Sequence, residues 1–254
     1  MKTHISRRDW LASTAGIVGT VAARSTAGAQ APLSDTTKRP GAGASPLGSR
    51  SSFETPTRTA GSPAASQTPL QDLHGTITPA DLHFERHHGG VPEIDPADYK
   101  LLIHGMVQRP TVFTLDDLKR FPATSGIHFL ECSGNWFGRN GGPETTPQRV
   151  CGMTSQSEWA GVSLATLFRE VGADPAATWF LAEGQDAAAM TRSIPLEKAW
   201  DDAILAYAQN GEAIRPEQGY PVRLFLPGWE GNASVKWLRR LELADRPFMT
   251  REET

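Results

Sequence analysis

The chain has 254 residues, 39% of them hydrophobic and 21% charged, enough for one large domain or two small ones. A formal net charge of -3 gives no basic excess for a nucleic acid partner. Two cysteines, Cys132 and Cys151, exclude a disulfide-stapled scaffold.

Residues 1–29 read as an export signal, with Arg7-Arg8 ahead of a mildly apolar stretch and Ala27-Gly28-Ala29 as a small-residue cleavage site. The paired arginines resemble a twin-arginine signal, which places the protein in the periplasm. The apolar run from Leu11 to Ala23 is too short and too diluted with Ser, Thr and Gly to span a bilayer. Residues 30–71 are expected to form a disordered linker. In Ala31 to Leu70, 23 of 40 residues are Gly, Pro, Ser or Thr, and such a segment buries too little to offset its ordering entropy.

The folded domain is expected over residues 72–247. Tyr99 to Val107 is rich in strand formers. Thr114 heads a short helix through Phe121, with Asp116 and Asp117 in its first turn. Gly126 to Cys132 is a short strand. Ser163 starts an amphipathic helix with Leu164, Leu167, Phe168 and Val171 on one face, and Gly172 ends it. Thr178 to Ala182 reads as a strand, Pro195 to Asp201 as a short helix and Ala203 to Ala208 as a strand before the tight turn Asn210-Gly211. Val222 to Leu226 and Ser234 to Leu243 complete the strands. Strands and short helices mix without a βαβ rhythm, which predicts an α+β fold.

Cys132 ends a strand and meets the loop Ser133-Gly134-Asn135. A thiol there suits a metal ligand or nucleophile, a small core residue, or a disulfide with Cys151. His83 and His87 have the spacing of a metal pair on a helix, but Gly89, Gly90 and Pro92 follow at once. Arg86 beside them can grip an oxyanion. Tyr207, on a strand, either donates a hydrogen bond to an oxyanion or packs. Arg223, Ser234 and Lys236 lie near Gly-Pro turns suited to phosphate. Neither a Walker A loop nor a strand-linked GxGxxG occurs.

In order, Phe84-Glu85-Arg86-His87-His88, Leu130-Glu131-Cys132-Ser133-Gly134-Asn135, Leu205 to Glu212, Gly219-Tyr220-Pro221-Val222-Arg223 and Pro227 to Trp237 resemble the molybdopterin domain of the sulfite oxidase family. Phe129-Leu130-Glu131-Cys132 and the closing stretch Pro247 to Thr254 resemble the SoxC-type subunits of Sox thiosulfate-oxidising systems within it. The resemblance implies a mixed-sheet molybdopterin-binding domain with a molybdenum-molybdopterin cofactor. Cys132 would ligate the metal, and Cys132, Tyr207 and Arg86 would be catalytic. Phe84, Arg86, His88, Asp186, Gln218, Arg223, Ser234 and Lys236 would bind the cofactor. It further implies oxygen-atom transfer on sulfite or a carrier-bound sulfane, with electrons passed to a c-type cytochrome. The chain carries no CxxCH of its own.

Family members continue into an immunoglobulin-like dimerisation domain. The chain, whose residues 248–254 would only begin that region, is expected to lack it, and the full-length form to be oligomeric. Where the family places two arginines after Cys-x-Gly-Asn, this chain has Trp136 and Phe137; Gln218 replaces a histidine and Ala233 an arginine. A less cationic pocket favours a sulfane carried on a protein over free sulfite. Methionine sulfoxide reduction or nitrate reduction on the same scaffold, or a cofactor-binding remnant without activity, are the alternatives.

Overall fold

The computed structural model describes residues 40–135 and 145–250. The export signal at 1–29, the pair Trp136-Phe137 and the terminal residues 251–254 lie outside the described residues. Residues 40–50 belong to a separate unit and are exposed. Among the described residues, the regular structure lies in the second unit, from Ser51 onward.

The fold starts earlier than the sequence predicts. Within the expected linker, β1 (Thr59–Ser62) and β2 (Ala65–Gln67) form a hairpin that continues to β3 (Glu85–Arg86). What anchors this polar stretch is hydrogen bonding: Thr68 is buried, its hydroxyl 2.7 Å from that of Ser155, and its N–H donates to the Gly152 carbonyl. Hydrophobicity alone does not reveal such an anchor.

β4 (Leu101–Gly105) and β5 (Thr111–Phe113) pair antiparallel. The helix α1 (Leu115–Lys119) is capped by Thr114, as its sequence predicts, and the cap is a full capping box closed by Asp117. After β6 (Ala123–Glu131) come the short helix α2 (Pro147–Cys151) and β7 (Thr154–Ser163). The amphipathic helix α3 (Leu164–Val171) buries Leu164, Leu167, Phe168 and Val171 and ends at Gly172. The Ser163 side chain makes no capping bond; instead the Leu164 N–H donates to the Ala203 carbonyl at 2.9 Å. Then follow β8 (Trp179–Gly184), β9 (Thr191–Pro195), α4 (Leu196–Asp201), β10 (Ile204–Gln209), β11 (Glu212–Ala213), β12 (Arg223–Phe225) and β13 (Leu238–Ala244).

One five-stranded sheet runs β5-β4-β13-β8-β9, with β13 parallel to β4 and its other pairs antiparallel. The other runs β11-β10-β7-β6, with β12 also on β10. The fold is α+β with mixed sheets. Its main core lies around α3 and the inner faces of the strands, with Leu101, Leu167, Phe168, Phe180, Leu224 and Leu241 all fully buried. A smaller cluster of Phe84, Leu130, Trp159, Ile204, Ala206, Ile214 and Phe225 lies apart from it.

Two strands differ from the sequence reading. The ten-residue β7, at the centre of its sheet, carries Ser155 and Ser157 on its buried face and so shows no apolar alternation. Its Gly161 is required by close approach, since a Cβ there would lie 1.9 Å from the Leu205 carbonyl oxygen of β10. The strand expected from Ser234 begins only at Leu238, because residues 231–233 form a 3-10 turn and Trp237 has φ 51°. That break turns Ser234 and Lys236 towards a cavity.

Candidate molybdopterin site

Cys132 follows the last residue of β6. Its N–H donates to the Met153 carbonyl at 3.0 Å, and its own carbonyl accepts from the Asn135 N–H at 3.0 Å, closing a tight turn. The Gly134 N–H points at the sulfur, 3.4 Å away. A Cβ on Gly134 would lie 2.7 Å from Met153 Cε, the mobile end of that side chain, and 3.4 Å from the sulfur, in ordinary contact with it.

Asn135, which the sequence marks merely as part of a loop, is the clamp of this turn. Only 2% exposed, it donates through Nδ2 to Glu131 Oε1, the Met153 carbonyl and Thr154 Oγ1, and accepts the Met153 N–H through Oδ1. Its place three residues after Cys132, in the turn that follows the strand end, was the available signal. Cys132 and Cys151 are both free thiols, so the disulfide alternative is not realised.

Cys132 opens into a cavity of about 850 Å³. Its walls include Phe84, Arg86, His88, Asp186, Gln218, Arg223, Ser234 and Lys236, residues the sequence places from position 84 to position 236. Tyr207 is not among the lining residues. It sits at a register shift between Ala206 and Ala208 of β10 and packs partly buried against the main core, so the expectation that it lines a substrate pocket differs from the structure.

Several of these residues act on each other. Arg223 is buried, its Nη atoms donating to the Gln218 carbonyl at 3.0 Å and the Ser234 carbonyl at 2.8 Å, and its guanidinium lies 5.0 Å over the Trp159 ring. Burial lowers its pKa to about 9. The Gln218 amide donates to the Phe84 carbonyl, and the Ser234 hydroxyl accepts the Leu226 N–H. Asp186 Oδ1 accepts the Met190 N–H at 3.4 Å. Arg86 donates to the His87 carbonyl, and exposed His88 is held below its usual pKa by desolvation and by the nearby Arg86 and Arg192 charges. Lys236 is lowered well below the usual lysine value, by burial first and by Arg223 second.

Neither Arg223 nor Lys236 forms an ion pair with a carboxylate among the described residues, and Arg223 Nε has no hydrogen-bond partner there. Two desolvated cations without a counter-charge are costly unless an anion joins them. A soft thiol on the wall of the same cavity is the donor type that suits a thiophilic metal. The residues present therefore fit an anionic, phosphate-bearing cofactor that carries such a metal. The helical zinc pair is not formed: His83 and His87 lie in and beside an extended segment, and no group of three or more His, Cys, Asp or Glu is placed to hold a metal among the described residues.

A family model for the oxidoreductase molybdopterin binding domain matches residues 88–252. The chain belongs to this family. Molybdenum-molybdopterin is the family's cofactor, and the cavity is where the molybdopterin domain offers both a thiol and buried positive charge. The chain is 32% identical over 210 residues to an NADH nitrate reductase of Ulva prolifera, covering 72% of this chain and 23% of that protein. It is 37% identical over 213 residues to NADH nitrate reductase 2 of Phaseolus vulgaris, with the same coverages. The crystal structure of the sulfane dehydrogenase SoxCD from Paracoccus pantotrophus superposes with a TM-score of 0.75 at 44% identity, over 80% of this chain and 54% of that one. The chain thus spans under a quarter of these nitrate reductases and about half of the SoxCD chain. No helix among the described residues is long and apolar enough to cross a membrane.

Proposed function

We propose that this molybdopterin domain serves the oxidation of a reduced sulfur substrate, a carrier-bound sulfane or sulfite, with electrons passed to a c-type cytochrome. The observation that carries the reading is the convergence on one cavity of the Cys132 thiol with two cations that have no carboxylate partner among the described residues, the buried Arg223 and the half-buried Lys236. Cys132 is the metal ligand. Phe84, Arg86, His88, Asp186, Gln218, Arg223, Ser234 and Lys236 hold the pterin and its phosphate, the last two through the break ahead of β13. When bound, the group supplies oxygen-atom transfer and takes up two electrons. The chain's own part is to fix and shield it. Asn135 and Gly134 hold the thiol at the cavity wall, Arg223 and Lys236 neutralise the anionic end, and Arg86 draws an anionic sulfur substrate inward.

Support for sulfur chemistry is the 44% identity to a sulfane dehydrogenase, above the 32% and 37% to the nitrate reductases. Nitrate reduction is the second reading, favoured by those same relatives. Periplasmic export through the twin-arginine route, a cytochrome subunit and an oligomeric full-length form complete the proposal. Domain limits of 1–29 for the signal and 72–247 for the catalytic domain belong to it too, with the hairpin of β1 and β2 added at the front. The test is turnover of the full-length, cofactor-loaded protein with sulfite, carrier-bound sulfane and nitrate in turn. Oxidation of either sulfur substrate, abolished by Cys132→Ser, is expected; nitrate turnover alone overturns the sulfur reading.

A further inference from the structure

Three residues outside the stretch matched by the family model converge on the cavity lysine. Arg58 forms an ion pair with Glu85, reaches Glu217 Oε1 at 3.5 Å and donates to the His83 carbonyl. Glu85 Oε2 lies 2.8 Å from His87 Nε2, and His87 Nδ1 lies 3.0 Å from Lys236 Nζ. The chemistry of the two neighbours selects the tautomer. A carboxylate only accepts, so Nε2 carries the proton; an ammonium only donates, so Nδ1 is the bare acceptor. Lys236 directs its remaining hydrogens to the Arg86 and Glu217 carbonyls, each at 3.0 Å, and the Trp237 ring lies 4.5 Å from Nζ. Three acceptors thus meet three N–H groups.

We propose that Glu85 and His87 are a positioning pair that fixes Lys236 as an ammonium on the cavity wall, where its ligand is the phosphate end of the anionic pterin. This rests on the cofactor reading above. A neutral amine has only two N–H groups and would leave one of the three acceptors unserved, so the arrangement favours the charged form against burial and the Arg223 charge, which both oppose it. With its hydrogens committed, Lys236 acts as a fixed charge rather than a free donor, and in a desolvated cavity such a charge acts over several ångströms. Burial and the lysine hold His87 down to about 4, so it remains a neutral acceptor at neutral pH. Arg58 holds Glu85 from the far side. The hairpin region ahead of the matched domain therefore has work at the site as well as at the fold's edge.

The test titrates the cofactor-free full chain with inorganic phosphate, followed by phosphorus NMR line width. It also measures pterin per chain after expression in a host that makes the cofactor. Lys236→Met and His87→Leu are each expected to weaken phosphate binding about tenfold, the loss typical of removing a residue that orients a ligand. His87→Asn, whose Oδ1 can replace Nδ1 as the acceptor, is expected to recover most of it, at an unfolding midpoint matched to His87→Leu. A mere packing role would not separate those two. Should His87→Leu not fold, Glu85→Gln carries the test: its amide can donate to Nε2, releases the tautomer and is expected to weaken binding severalfold. Wild-type affinity in the Leu variant, equal losses in Asn and Leu, or wild-type affinity in Glu85→Gln overturns the positioning pair. Wild-type affinity in Lys236→Met, or a wild-type chain that takes up neither phosphate nor pterin, overturns the cofactor reading instead.

Discussion

The two apolar clusters of the molecule are built to different ends. The main core around α3 is made of side chains such as Leu101, Leu167, Phe180 and Leu241, each with nothing to satisfy but packing. The smaller cluster under the cavity is threaded with polar groups. Trp159 stacks on Phe225 at 4.9 Å, carries the Arg223 guanidinium on its face, and meets the buried His83 ring edge-on at 5.9 Å. Trp159 Nε1, His83 Nε2 and Arg223 Nε have no hydrogen-bond partner among the described residues. Buried polar atoms are ordinarily paired, so an orphaned Arg223 Nε beside the cavity marks a place where the fold gives up stability to hold something else. The difference teaches that truncation should cost stability in one cluster and ligand binding in the other.

The largest expected effect sharpens the functional side. Cys132→Ser in the loaded full-length enzyme should abolish turnover while moving folding stability by no more than about 1 kcal/mol, measured by urea unfolding beside the activity assay. Next, Leu167→Ala in the main core should lower unfolding free energy by about 2–5 kcal/mol, the range for a fully buried leucine, with phosphate affinity of the folded chain unchanged. Arg223→Met should do the reverse. Pterin or phosphate affinity should fall about a hundredfold, whereas the cofactor-free chain should be as stable as wild type or more so, because a desolvated cation without a counter-charge is removed. Equal destabilisation by the Leu167 and Arg223 variants would erase the contrast between the clusters.

The smallest effect is the acid response. Burial holds His83 neutral and pushes its pKa down to about 3, against 6.5 for the free side chain. The unfolded chain binds the proton first, so stability is complete above about pH 6.5 and is lost progressively as pH falls towards 3. Urea midpoints at pH 7, 5.5 and 4 should decline in that order, and His83→Phe should make the decline shallower, with His87, held down to about 4, supplying part of what remains.

Much of the local structure was legible. The Thr114 capping box, the apolar stripe and terminal glycine of α3, and the Asn210-Gly211 turn are written within a few residues, so reading them needs no partner. Other features escaped because their cause is distant. The central strand β7 buries serines that find hydroxyl and amide partners on Thr68 and Gln209, far along the chain. Its pattern is therefore not apolar. Asn135 looked like loop punctuation because its four partners, at Glu131, Met153 and Thr154, gather only once β7 lies beside β6. Tyr207 lies at a register shift in β10 that is visible only in the pairing against β7.

By itself, the sequence determined the composition class, the short-range caps and turns, and the ordered blocks that carry the resemblance to the molybdopterin domain, since each is a property of neighbouring residues. Only the tertiary structure decided that positions from 84 to 236 share one cavity, that Arg223 and Lys236 have no carboxylate partner there among the described residues, and that the supposed linker contributes Arg58. Burial and charge pairing depend on which strands lie together, and that is a property of the sheets rather than of any stretch within them.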